Sequence, residues 1–151
     1  MPGSPYVRDP RTSQQDALRR ARRLLEDAIT RHAGDNEWAR NLLNALQKVR
    51  RVFRLHVTEA EAEDGSLNEI LTMKPQLSKR VALLQGEHQS LGDEIAVLCT
   101  QVAEQIDSTR MDVEGLRLDS GRILDRLRLH QAKGIDLVYE AFLRVEGGEG
   151  P

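Results

Sequence analysis

Three long stretches of this chain repeat apolar residues at alternating steps of three and four, a spacing that commits each to a helix with one buried face. The first face is Leu42, Leu46, Val49, Phe53, His56 and Ala60. The second is Leu77, Val81, Leu84, His88, Leu91, Ile95, Leu98 and Val102. The third is Val113, Leu116, Ser120, Ile123, Leu127, His130, Gly134, Leu137 and Ala141. A shorter face, Leu18, Ala21, Leu25 and Ala28, precedes them, and no alternating β-branched run competes. Four amphipathic helices with short connections predict an all-α fold, an up-down-up-down four-helix bundle.

Each of the three long faces carries one histidine where a core residue is expected. In antiparallel neighbours, residues equidistant from a turn share a level. His88 and His130 are equidistant from Thr109, in the polar break Asp107 to Arg110. His56 and His88 are equidistant from Thr72, in the connection bounded by Gly65 and Pro75. A register error of two or three residues moves a level by only about 3 to 5 Å, so the three imidazoles are expected in one layer. Neutral imidazoles lining an apolar layer are a poor arrangement unless something bridges them, either water or a cation. The candidate metal ligands are therefore His56, His88 and His130. Glu59 and Glu63, three and seven residues after His56, share its face and are the candidate carboxylates.

Residues 1–11 hold three of the five prolines and no periodicity, and are expected to form a flexible arm. The bundle is expected over 12–146, with the glycine-rich 147–151 as a frayed tail. Thr12 with Gln15, or Ser13 with Asp16, suits the start of the first helix, which stops near Gly34; Asp35 or Asn36 opens the second. That helix is expected to break at Asp64-Gly65, and Ser66 to Glu69 has a capping-box pattern for a short helix to about Met73. Pro75 suits the first turn of the next helix, to about Asp107, and the last runs from near Asp112 to about Val145. The first helix has only just begun at the histidine layer, so a fourth ligand from it would be Asp16, Asp9 or Tyr6. The small residues four positions after each histidine, Ala60, Gly92 and Gly134, predict close helix approach or room for water or a small ligand.

The formal charge of -2 gives no bulk argument for nucleic acid or an anionic membrane. The local runs at Arg19, Arg20, Arg22, Arg23 and at Arg50, Arg51, Arg54 are expected to cover an outer face. A single cysteine, Cys99, excludes an intrachain disulfide, and no segment has the apolar length of a membrane span or a signal peptide. A cytoplasmic protein is expected, binding neither nucleic acid nor membrane, with a protein partner unidentified.

The stretch from Leu55-His56 through Glu59, Glu61, Glu63 and Asp64-Gly65-Ser66-Leu67, then Pro75 and Leu77, then Glu87-His88 and Leu91, resembles the hemerythrin-like, HHE-type cation-binding domains. His130-Gln131-Ala132-Lys133-Gly134-Ile135-Asp136-Leu137-Val138-Tyr139 is similar to that family's last helix. The resemblance implies a four-helix bundle whose core histidines and carboxylates bind a non-haem di-iron centre. In the family a carboxylate one turn after the histidine bridges the irons; here those places hold Ala60 and Gly134. Leu84 stands one turn before His88, and the first helix offers no inward histidine. No Ser-His-Asp set, phosphate loop or cysteine-based zinc motif is present. The expected function is thus a non-enzymatic hemerythrin-like bundle with an altered or lost di-iron centre, a sensor or interaction module whose histidine layer either is bridged by water with no cofactor or holds one iron or zinc ion. The alternative is an active non-haem iron protein for oxygen or iron handling, with Glu59 or Glu63 replacing the missing carboxylates.

Overall fold

The computed structural model describes residues 10–143. The expected arm lies almost wholly outside the described residues, and so does the expected tail, together with the fourth-ligand candidates Asp9 and Tyr6. Within them run α1 (Pro10–Thr30), α2 (Asp35–Glu61), the short α3 (Ser66–Met73), a 3-10 turn (Pro75–Leu77), α4 (Ser78–Gln105) and α5 (Val113–Val138). A π turn, Tyr139–Leu143, continues α5, and there is no strand among the described residues. α1 packs on α2 and α5, α2 also on α4, and α4 on α5, so the four long helices enclose a shared interior.

The three- and four-residue spacing places the apolar faces inward as expected, but the core falls into two clusters. The larger holds Leu18, Leu25, Trp38, Leu42, Leu46, Val49, Phe53, Leu91, Ile95, Leu98, Val102, Leu116, Ile123 and Leu127. The smaller holds Ala60, Leu67, Ile70, Val81, Leu84, Leu137 and Ala141, and α3 caps it. On α2, α4 and α5 alike, the residue separating one cluster from the other is the histidine. Cys99 is buried, and burial pushes its thiol up, consistent with a small core residue.

The helix ends show where local chemistry departs from the expectation. α1 starts at Pro10, earlier than the expected Thr12 or Ser13 caps, because proline suits a first turn whose N–H groups are unpaired anyway. Gly34 enters α2 in an extended conformation, and the Trp38 indole donates to the Ile29 carbonyl at 3.3 Å, satisfying an end of α1. Gly65, not Ser66, is the cap of α3, and the Ser66 hydroxyl instead donates to Glu59 at 3.4 Å. A Cβ on Gly65 would lie 2.1 Å from the Glu59 carbonyl oxygen, so the tight α2–α3 turn needs glycine there. Pro75 opens the 3-10 turn, and α4 begins only at Ser78. Asp107 takes a left-handed φ of 65° after α4. Its backbone N–H donates to Asn36 at 2.9 Å and its carboxylate accepts from Arg40 at 3.0 Å, which fixes the end of α4 beside the start of α2. Asp112 caps α5 by accepting from the Gly115 N–H at 2.9 Å. On the outer surface Arg126 pairs with Glu94 and Arg128 with Glu26, exposed contacts worth at most about 1 kcal/mol each.

Candidate metal centre

His56 projects from α2, His88 from α4 and His130 from α5, each at the core-facing position that the stripe spacing assigns it, and all three are buried. Their ring centroids stand 4.9 to 5.5 Å apart. The Nε2 atoms converge: that of His56 lies 3.3 Å from Nε2 of His130 and 3.3 Å from Nε2 of His88. One ligand atom from each of the three falls within 4.8 Å of the others, a grouping able to hold a metal ion.

Behind two of the rings stand carboxylates. His88 Nδ1 lies 2.5 Å from Glu61, and His130 Nδ1 lies 2.8 Å from Glu87. A carboxylate only accepts, so each of these Nδ1 atoms carries the proton and donates. Lys133 holds the other oxygen of Glu87 at 2.6 Å. Burial alone would raise the Glu87 carboxyl, but hydrogen bonds from Lys133 and His130 outweigh it and hold the group below its usual range. Burial, reinforced by His88 and His130, pushes His56 down to about 3. Burial also lowers His130, against the pull of Glu87. Burial therefore favours the neutral form of His56 and His130, and the Nε2 atoms of all three rings face a common point.

The surroundings of that point differ on its two sides. Phe53 closes one side, its ring centroid 5.7 to 6.0 Å from those of all three histidines. On the other side lies a cavity of about 30 Å³, lined by the histidines with Gln15, Ala60, Ser66 and Gly134 among its walls. This is room for a water molecule or two. Gly92 and Gly134 do not mark tight helix contacts: an added Cβ would sit 3.9 Å from the Phe53 ring and 3.8 Å from Gln15, both ordinary separations. Of the two expectations for these positions, room for a small ligand holds at Gly134.

The structure brings His56, His88 and His130 together and leaves Glu59 and Glu63 outside the group. Glu59 accepts from Ser66 at the end of α2, and Glu63 is exposed in the turn beyond it. From α1 it is Gln15 that reaches the cavity, while Asp16 pairs with Arg19 at 3.3 Å. Gln131, buried beside His130, donates to the Gln15 carbonyl at 2.7 Å and to its side chain at 2.8 Å, tying α1 to α5 at this level. Sequence reasoning missed Glu61 and Glu87. Glu87 lies on the flank of α4 that faces α5, where His130 stands at the same height. The usable signal was a carboxylate flanking a histidine level, not one on the histidine's own face. Two bridging carboxylates, which a di-iron pair requires, have no counterpart among the described residues grouped at this point, so those residues do not fit that centre. Comparison with protein-family models, curated proteins and solved structures gives no match, and the hemerythrin-like resemblance rests on the residues quoted for it.

Proposed function

We propose that the chain is a non-enzymatic, hemerythrin-like up-down-up-down bundle whose altered centre binds one divalent cation, and that it serves as a sensor or interaction module. The observation that carries the proposal is the convergence of three buried histidines, with His56 Nε2 standing 3.3 Å from Nε2 of both His88 and His130. Imidazole suits zinc, iron, copper and nickel alike. The count of one follows from the ligands: Ala60 and Gly134 occupy the places where bridging carboxylates would stand, and Glu59 and Glu63 are turned elsewhere. The sensor role follows from position. The layer lies between the two core clusters and joins α2, α4 and α5, so binding free energy becomes bundle stability.

Metal analysis of the full chain, produced with iron and zinc both present, tests this reading. At most one equivalent per chain is expected, lost when His56, His88 and His130 are all replaced by alanine. Two tightly held irons per chain with an oxygen-dependent visible spectrum would overturn it in favour of the iron-handling alternative.

A further inference from the structure

The spacing of the three nitrogens discriminates between coordination geometries. Metal–imidazole bonds of about 2.0 to 2.1 Å at tetrahedral angles separate neighbouring nitrogens by about 3.3 to 3.4 Å, whereas right angles at the same bond lengths bring them to about 2.8 to 3.0 Å. His56 Nε2 stands 3.3 Å from both of its neighbours.

The carboxylates point the same way. Glu61 and Glu87 each accept from an Nδ1–H, which leaves the Nε2 atoms of His88 and His130 facing that of His56 in a buried layer, where a cation at the common point would bridge all three. Carboxylates behind ligating imidazoles are also the arrangement that fixes the tautomer and raises the basicity of the ligand nitrogen. Lys133 keeps Glu87 in that place by holding its second oxygen.

We propose that the layer is a tetrahedral zinc site in which His56, His88 and His130 are the protein ligands, Glu61 and Glu87 are positioning residues, and solvent in the cavity beside Ala60 and Gly134 is the fourth ligand. This deepens the one-cation reading and rests on it. Zinc carries no geometric preference of its own, so a His56 nitrogen set at tetrahedral spacing from both of its neighbours suits it, whereas iron in such proteins draws on carboxylates that this layer lacks. Glu61 and Glu87 touch the imidazoles from outside and do not reach the cation.

The test uses the full chain stripped of metal and titrated separately with zinc and with cobalt(II), which substitutes for zinc and reports geometry in the visible range. One equivalent of each is expected, with cobalt giving the intense absorption of a four-coordinate ion. Glu87→Gln should weaken zinc binding about 10- to 100-fold, with Glu61→Gln acting in the same direction. Both variants keep an acceptor for the Nδ1–H and should keep the parent's helicity, so the loss of zinc affinity is read against each variant's own metal-free melting temperature; a loss of melting temperature with zinc affinity unchanged would mark a merely structural role for the carboxylates. One equivalent of cobalt with a weak six-coordinate spectrum would overturn the tetrahedral assignment while leaving the one-cation reading standing. Zinc affinity unchanged in both glutamine variants would overturn the positioning roles, and failure of zinc, cobalt and iron alike to bind would remove both the inference and the reading beneath it.

Discussion

Replacing His88 with leucine separates the contribution of the histidine layer to packing from its contribution to cation binding. His88 is buried between Leu84 and Leu91 on the α4 face, with Nδ1 on Glu61 and Nε2 against His56. The substitution removes a charge-assisted hydrogen bond worth about 1.5 to 3 kcal/mol. Burying a leucine returns about 1.5 to 3 kcal/mol, and Glu61, with 37% of its side chain exposed, is left hydrated and not stranded. The two terms nearly cancel, so the metal-free variant should lie within about 1 kcal/mol of the parent. With free zinc at a hundred times its dissociation constant, the parent gains about 2.7 kcal/mol, whereas a variant with two remaining ligands gains little. For a domain of this size that is a difference in melting temperature of roughly 5 to 11 °C, seen only when zinc is present. Thermal unfolding followed by circular dichroism, parent against variant, with chelator and with zinc, measures both terms. Equal zinc stabilisation of the two proteins would refute the ligand role. A metal-free loss above about 3 kcal/mol would refute the packing argument.

In the metal-free protein, stability should fall with acid. His56 titrates at about 3 when folded and near 6.5 when unfolded, so the neutral buried ring contributes fully above pH 6.5 and the contribution is lost as pH falls toward 3. Between pH 7.5 and 4.5 this amounts to about 2 to 3 kcal/mol in urea unfolding, and a His56→Leu variant with the same pH slope would count against it. Gly65→Ala should cost about 2 to 3 kcal/mol, since its Cβ meets backbone at 2.1 Å and the end of α2 must shift; a neutral result in denaturant titration would mean that the turn is looser than described. Gly134→Ala should instead stabilise the metal-free protein by about 0.5 to 1 kcal/mol, because the new methyl meets Gln15 at an ordinary 3.8 Å and a helix-interior glycine is removed. A destabilised alanine variant in the same assay would show that the cavity wall tolerates no added atom.

The helices and the histidine level were legible because both rest on periodicity, which a helix converts directly into direction and height. His56, His88 and His130 each replace a stripe residue, and counting from the turns put them in one layer. The ends were harder to see. Ser66 carries the capping-box pattern, yet the close return of the chain onto Glu59 makes Gly65 the cap and turns the serine hydroxyl to a side chain on α2. From α1 it is Gln15, three positions before Leu18 on that helix's face, that lines the cavity, whereas Asp16 lies off that face. Glu61 and Glu87 escaped because a helical wheel classes flanking positions as solvated. Only the packing of α2 against α4 and of α4 against α5 turns those flanks toward a neighbour's histidine.

The division of the core explains why a polar layer is tolerated and what it can report. Apolar side chains continue on both sides, from Phe53, Leu91 and Leu127 on one to Ala60, Leu84 and Leu137 on the other, so the bundle holds its register without help from the histidines. All three candidate ligands come from α2, α4 and α5. α1 reaches this level through Gln15, which Gln131 secures by two hydrogen bonds. A cation at the common point would therefore strengthen three helices directly and the fourth only through the residue next to His130. On the proposed one-cation reading, loss of the cation would leave the apolar packing on both sides in place and loosen the layer between them, changing local order more than the fold, which is the graded response that the proposed sensor role calls for.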